Sequence, residues 1–343
     1  MKLPFPRAAR DHYYKLLEEV FDSNYLTEGQ FLEQFECQFS SFTGLDSLGF
    51  SSGGSALYAL FRFANVDGHE VILPANTFYA TAISAKMAGA TVIYADCNKE
   101  DLCISLDDLK RKVTPKTKAV CVVHIGGHIS FEIEKISEFC SDNDLYLIED
   151  CAHAHGASFK GDTGGSWGLG GAYSFYATKT MPLGEGGMVC SKNQELLEWV
   201  KKFRNYGKTV KNGRVSYDIG TGFNGRMNEI TAALGLVQLD RLPEILEWKG
   251  RLAEKLDKIF KNRIHFPEDM ASGYYKYIVF DYDLKEEVGK VFSQSDFGPE
   301  IENSKYLLPN SRWVAKHHKC VPIWFGWEHA EKPIETIRRL LID

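Results

Sequence analysis

The sequence predicts an α/β fold: a large domain built on a mostly parallel seven-stranded sheet between helices, followed by a smaller C-terminal α+β domain. Three observations lead there. Short apolar runs of strand length recur through the first part of the chain. Helix-like stretches fill most of the gaps between them, the alternation that gives a parallel sheet covered on both faces. The chain has 343 residues, 44% of them hydrophobic and 13% aromatic, a globular profile able to support a large core and about two domains.

The strands are expected at LGFSS (48–52), EVILP (70–74), TVIYAD (91–96), KAVCVVHI (118–125), LYLIED (145–150), AYSFYA (172–177) and GMVCS (187–191). Helical patterns between them include SALYALFRFA, AISAKMAG, SLDDLKRKV and EIEKISEFC. In such sheets, ligand sites gather outside the carboxyl ends of the strands. After Asn224 the texture changes: 227–262 reads as helices rich in Leu, Glu and Lys, broken at Pro243. This places a large domain at 1–240 and a small one at 241–343, with KYIVFDY as a strand and IETIRRLL as a closing helix.

Charge and composition remove several classes of function. Forty basic against 46 acidic residues leave a net charge of −6 with no basic tail or stripe, so no nucleic-acid partner is expected. The opening MKLPFPRAARDHYYKLLEE turns charged before a signal-peptide core forms, and no apolar run approaches the roughly 18 residues of a membrane span. Eight cysteines are present, none in a C-x-x-C pair and several inside strand-like runs. They are expected to be reduced core thiols of a cytoplasmic protein.

Three segments point to chemistry. SSGGSALYAL (51–60) runs from a strand through a glycine turn into a helix. Backbone amides at Gly53, Gly54 and Ser55, with the positive end of the helix, make a phosphate cradle; the alternative is an ordinary tight connection. It is not a P-loop, because G-x-x-x-x-G-K-[ST] is absent. LYLIEDCAHAHGA (145–157) ends a strand in Glu149-Asp150, and an aspartate at a sheet's carboxyl edge can hold a heteroaromatic nitrogen protonated. His153 and His155 follow, but two histidines do not complete a metal site, and none is expected; His155 reads as a hydrogen-bonded core residue.

In GGAYSFYATKTMPLGEGGMVC (170–190), Lys179 stands in a small-residue, glycine-rich connection between two buried strands. A lysine so placed can lose its proton more readily and attack a carbonyl; the alternative is a loop lysine with its ammonium in water. Ser174 lies five residues before it and Asp150 lies 29 before it. With the upstream glycine turn, these groups match the needs of pyridoxal 5'-phosphate: a Schiff-base lysine, an acid for the ring nitrogen and a phosphate cup. A dinucleotide site fits worse, since GLGGAY (168–173) has Tyr173 where a third glycine belongs.

YLTEGQFLEQFE, FSSGGSAL, LPANTFYATA, LIEDCAHAHGA, YSFYATKTMPLGEGG and TGFNGRMNEITAALGLVQL occur in this order, and over about residues 20–240 they resemble the DegT/DnrJ/StrS family. These are pyridoxal-phosphate-dependent sugar aminotransferases of the aspartate aminotransferase fold, fold type I. The resemblance implies Lys179 as the Schiff-base lysine and Asp150 as the partner of the pyridinium nitrogen. It implies Phe78 as the aromatic on the ring face and His153 where relatives often have a glutamine bonding the ring hydroxyl. Ser174 would bind phosphate with the amides of Gly54 and Ser55, and Asn224 would reach the phosphate of a neighbouring subunit, which implies a homodimer with shared sites. It further implies L-glutamate as donor and a nucleotide-linked keto-deoxy sugar as acceptor.

The chain departs from the family at Gly53-Gly54, where relatives commonly have Gly-Thr, and in an abbreviated tail around FSQSDFGPEIENSKYLLPNSRW, a region that shapes the sugar pocket; a small keto phosphate is therefore a second acceptor class. Relatives with histidine in place of the lysine are dehydratases. Competing readings are a lyase or dehydratase on the same fold, a non-catalytic regulatory homologue and, third, a nicotinamide oxidoreductase. Arg204, Arg226, His128, His317 and His318 each stand as substrate contacts or as structural residues.

Overall fold

The computed structural model describes residues 5–218, 221–284, 290–292, 301 and 307–323. Its centre is a sheet of seven strands: β1 (Asp46–Phe50), β2 (Glu70–Pro74), β3 (Thr91–Ala95), β4 (Thr117–Val123), β5 (Tyr146–Asp150), β6 (Gly170–Ser174) and β7 (Gly187–Ser191). Their spatial order is β1-β7-β6-β5-β4-β2-β3. All are mutually parallel except β7, which runs antiparallel to β1 on one side and to β6 on the other. The expected runs all become strands of this one sheet, with ends shifted by up to three residues.

Alternation along each strand sends its residues into two separate cores. Val71, Leu73, Ala119, Cys121, Ile148, Ala172 and Val189 pack on one face. Ile72, Val120, Val122, Leu147, Tyr173 and Met188 pack on the other. The first face is covered by helix Gly53–Phe63, which buries Ala56, Leu57, Leu60 and Phe61. The second carries helix Gln30–Thr43, burying Phe31, Phe35 and Phe39. The start of that second helix is held by a distant acid: Glu229 Oε1 accepts from the amides of Gly29 (3.0 Å) and Leu32 (3.1 Å), and Oε2 from that of Phe31 (2.9 Å). A carboxylate there satisfies amides that the helix itself leaves unpaired.

The break expected at Pro243 does not occur: one helix runs from Glu229 to Leu256. Proline removes an N–H and crowds the carbonyl a turn earlier. Here Pro243 is exposed, while Leu239, Leu242, Ile245 and Leu252 around it are buried. Packing of that apolar face outweighs one lost hydrogen bond. The boundary expected at residue 240 therefore falls inside a continuous helix. Beyond it, KYIVFDY does supply a strand, Tyr277–Phe280, paired antiparallel with His318–Val321 over a third core of Leu252, Leu256, Phe260 and Val279. IETIRRLL and most of the abbreviated tail lie outside the described residues. Among the described residues, no helix is long and apolar enough to cross a membrane. All eight cysteines are free thiols, seven of them buried and Cys37 exposed.

Candidate active site

Because β1, β2, β4, β5 and β6 run the same way, their carboxyl ends meet along one edge of the sheet. Residues at or just past those ends line a cavity of about 600 Å³: Ser52 and Gly53, Thr77 and Phe78, Val123, Asp150 and Ser174. Gly54, His153, Lys179, Tyr275, Lys276 and Lys290 complete much of the wall. Seven residues singled out by sequence thus share one space: Gly53, Gly54, Phe78, Asp150, His153, Ser174 and Lys179.

One end of the cavity presents unpaired hydrogen-bond donors. Ser52 caps helix Gly53–Phe63, its Oγ accepting the Ser55 amide at 3.1 Å while Ser55 Oγ accepts the Ser52 amide at 2.9 Å, a reciprocal capping box. Ser55, expected as a cradle donor, is therefore committed to the cap and is not part of the cavity wall. The amides of Gly53 and Gly54 are left without an acceptor among the described residues. Ser174 faces them so closely that a Cβ on residue 53 would stand 2.7 Å from Ser174 Cβ. Its Oγ accepts the Tyr176 amide at 3.4 Å, which leaves the hydroxyl hydrogen for a ligand.

At the end of β5, the Asp150 carboxylate is 5% exposed. Its Oδ2 accepts the Thr81 hydroxyl at 2.8 Å and its Oδ1 the Ala152 amide at 3.0 Å. Thr77 Oγ1 lies 2.7 Å from Thr81 Oγ1; since Thr81 spends its hydrogen on Asp150, Thr77 donates to Thr81. This relay fixes the carboxylate while each oxygen keeps a lone pair. His153 stacks on Tyr275 with ring centroids 4.0 Å apart. Its Nδ1 accepts the Gly126 amide at 3.3 Å, so the proton of the neutral ring sits on Nε2. Burial first, and then Lys179, push its pKa well below the ordinary value. Phe78 is 69% exposed at the mouth.

Lys179 sits on a loop closed on itself by bonds from its own amide to Tyr176 O (2.9 Å), Ala177 N to Gly184 O (3.1 Å) and Leu183 N to Phe175 O (2.8 Å). Its Nζ lies 5.1 Å from the centre of the Tyr275 ring. Burial lowers its pKa most; Tyr275 and Asp150 act against that shift, and Lys276 reinforces it. A less protonated amine is the better nucleophile toward a carbonyl. The residues fit pyridoxal phosphate: two unpaired amides and a hydroxyl for an anion, a fixed acid for a ring nitrogen, an aromatic for the ring face and an amine of lowered basicity.

The remaining candidates lie elsewhere. Asn224 is exposed and outside this cavity, bridged through its backbone to Asn205. Arg204 pairs with Glu36 and donates to Gly49 O at 2.7 Å, inside the core. Arg226 bonds Asn205 Oδ1 and stands 5.4 Å over the Tyr206 ring. His128 is buried against Asp101 O at 2.9 Å, and burial lowers its pKa to about 4. His318 donates to Val314 O and accepts the Val291 amide, while His317 pairs with Asp281 and stacks on Trp313.

His155 departs from expectation. It is fully buried, yet neither ring nitrogen has a hydrogen-bond partner. It lies against the rings of Tyr173 (5.3 Å) and Phe175 (5.6 Å). Burial, then Lys179 and Lys249, depress its pKa to about 3. Close by in sequence, His124, Glu149 and Cys151 form a buried trio with metal-ligand spacing. The lone pairs of Glu149 and His124 are already used, and the Cys151 thiol donates to Glu149 O at 3.7 Å. Glu149 accepts the amides of Gly165 (2.8 Å), Trp167 (2.8 Å) and Gly168 (3.1 Å) and the His124 Nε2–H (2.9 Å). His124 Nδ1 in turn accepts the Ser130 amide at 3.1 Å.

Sequence reading missed Thr77, Thr81, Tyr275, Lys276 and Lys290. The two threonines lie within the quoted NTFYATA run. The other three come from the C-terminal part, where only the aromatic–lysine pair in GYYKY offers a signal.

Residues 8–285 match the model of the DegT/DnrJ/EryC1/StrS aminotransferase family. A GDP-perosamine synthase from Vibrio cholerae is 35% identical over 243 residues, 70% of this chain and 65% of that protein, so the match spans a little under two thirds of that relative. A GDP-perosamine synthase from Escherichia coli O157:H7 is 32% identical, over 76% of this chain and 72% of its own. Among solved structures, the aminotransferase TlmJ from Streptoalloteichus hindustanus superposes with a TM-score of 0.86 at 26% identity, covering 96% of this chain and 95% of that one. Sequence, fold and the residues gathered at the sheet edge agree: the chain belongs to the DegT/DnrJ/EryC1/StrS aminotransferase family.

Proposed function

We propose that this protein is a pyridoxal-phosphate-dependent aminotransferase that moves an amino group from L-glutamate onto the keto carbon of a nucleotide-linked keto-deoxy sugar. The observation that carries the reading is Lys179, an amine of lowered basicity in a cavity shared with Asp150, His153, Ser174 and the Gly53-Gly54 amides. When bound, the cofactor supplies a reactive aldehyde and an electron-withdrawing ring. The Gly53 and Gly54 amides and the Ser174 hydroxyl hold its phosphate. Asp150 would keep a proton on the ring nitrogen, the His153 Nε2–H would bond the ring oxygen, and Phe78 would cover one ring face. The Lys179 amine would be the group that bonds its aldehyde and, once freed, the base that takes and returns a proton at the substrate α-carbon.

The names of the relatives support the acceptor class, since two of them are GDP-perosamine synthases. A small keto phosphate is the other acceptor to screen. A homodimer is part of the proposal. Asn224 is exposed and outside its own cavity, so it is available to a partner's phosphate. Phe78, Tyr79, Ile83 and Met87, exposed on and beside helix Tyr79–Met87, form an apolar surface of the kind copies bury. Free buried thiols suit a reducing compartment such as the cytoplasm.

The test is spectroscopic. Pyridoxal phosphate added to the purified protein gives the visible band of the lysine-bound cofactor, and L-glutamate without acceptor converts it to the pyridoxamine form. Lys179→Ala gives no such band. A wild-type protein without the band refutes the cofactor assignment. A band unmoved by glutamate refutes the donor, and one unmoved by any amino acid refutes amino transfer.

A further inference from the structure

We propose that Lys249 is a positioning residue that ties the Lys179 loop to the segment carrying Tyr275, and so sets where the Lys179 amine stands in the cavity. The inference rests on the reading of Lys179 as the reactive amine. Lys249 projects from helix Glu229–Leu256 and is only 1% exposed. Its Nζ donates to Thr180 Oγ1 at 3.3 Å and to Tyr274 O at 3.0 Å. Thr180, fully buried, follows Lys179 directly. Tyr274 precedes Tyr275, whose ring lies 5.1 Å from Lys179 Nζ and stacks on His153 at 4.0 Å. One amine thus joins both segments whose relative placement defines the lysine's position.

Packing alone does not account for a lysine here. Among the described residues no carboxylate pairs with it, and the other charge acting on it, Lys276, is of like sign. Burying an ammonium without a counterion is unfavourable, and a methionine would fill the same length without that penalty. What methionine cannot supply is two hydrogen bonds to two separate segments. Burial, reinforced by Lys276, lowers the Lys249 pKa to about 7. Charged or neutral, the amine keeps at least two N–H donors, so the tie persists through neutral pH.

The experiment compares wild type with Lys249→Met, Lys249→Arg and Thr180→Val. Lys249→Met is expected to unfold at the same temperature as wild type or higher, while kcat falls about 10- to 100-fold, the scale of a misplacement near 1 Å. Thr180→Val, which removes one acceptor, is expected to show a smaller loss, and Lys249→Arg, which keeps donors, a partial rescue. A second readout needs no cofactor: the pH profile of Lys179 acetylation by acetic anhydride, followed by peptide mass spectrometry, shifts in Lys249→Met and returns toward wild type in Lys249→Arg.

An unchanged kcat and acetylation profile in Lys249→Met overturns the proposal. So does a joint loss of melting temperature and kcat that arginine does not restore, because that is the signature of a merely structural residue. Should wild type fail to form the cofactor band, the functional reading falls, and the acetylation profile still decides whether Lys249 positions Lys179.

Discussion

Alanine at the two neighbouring glycines of the anion cradle should have opposite outcomes. At residue 53 the new methyl would meet Ser174 Cβ at 2.7 Å and Ser174 Cα at 3.1 Å. Carbon atoms rest about 3.5–4.0 Å apart, so a wall must retreat by about 1 Å. Neither wall gives easily. Ser174 closes a fully buried strand in register with β7, and the Ser52–Ser55 box pins the helix start. Overpacking of this kind costs about 1–3 kcal/mol. Expressed as lost cofactor affinity, that is roughly a 5- to 150-fold rise in Kd.

At residue 54 the nearest atoms are Ser84 Oγ at 3.8 Å and Ala80 Cβ at 3.9 Å, an ordinary contact. Alanine fits there and favours the helix by up to about 1 kcal/mol. The assay is titration of pyridoxal phosphate into cofactor-free protein, followed by absorbance, with urea unfolding of both variants. Wild-type affinity in Gly53→Ala, or an equal loss in Gly54→Ala, refutes the placement of the cradle.

Asp150→Asn should preserve the fold, because the amide oxygen still accepts the Ala152 amide and its NH₂ donates to Thr81 Oγ1 once that hydroxyl turns to Thr77, but lose orders of magnitude in turnover, because an amide gives the ring nitrogen no comparable partner; near-normal kcat would count against the assignment. Glu149→Gln places an NH₂ group among three backbone amides and the His124 N–H, so urea unfolding should show a loss of about 1.5–3 kcal/mol or more. Acid should destabilise the fold through His128, His155 and His318, whose pKa values burial lowers to about 4, 3 and 4. Between those values and about 6.5 the unfolded chain binds protons that the folded chain does not, so stability falls as pH drops, by up to about 1.4 kcal/mol per pH unit for each histidine. Urea titrations across pH 7 to 4.5 measure the slope, which His155→Phe should reduce.

The seven strands were readable because each is a short apolar run bounded by turn residues, and a strand buried on both faces shows itself in any order of assembly. Asp150 was readable as a polar residue closing such a run, and Ser174 by its place five residues before Lys179. The capping box was not anticipated: Ser55 could serve an anion or Ser52, and only the geometry shows the latter. Pro243 misled because local chemistry says break, while the apolar face that overrides it is a property of the packed molecule. Tyr275, Lys276 and Lys249 reach the lysine loop from far along the chain, and beyond the aromatic–lysine pair in GYYKY no local pattern marks them. His155 was misjudged for the same reason, since the rings it lies against, Tyr173 and Phe175, come from the end of β6 and the residue just past it.

The placement of β7 has a consequence for how the chain is made. It is the last strand of the sheet to be synthesised, yet it lies between the first and the sixth. Until Ser191 has emerged, β1 has no neighbour in the sheet. At roughly 5–20 residues per second, that interval lasts on the order of ten seconds. Through it, Leu48 and Phe50 belong to an unpaired strand with both edges open, the kind of segment that associates with other chains. The sheet is thus closed by its last strand, and a nascent chain stalled before residue 187 carries every strand of the parallel core while β1 still lacks its partner.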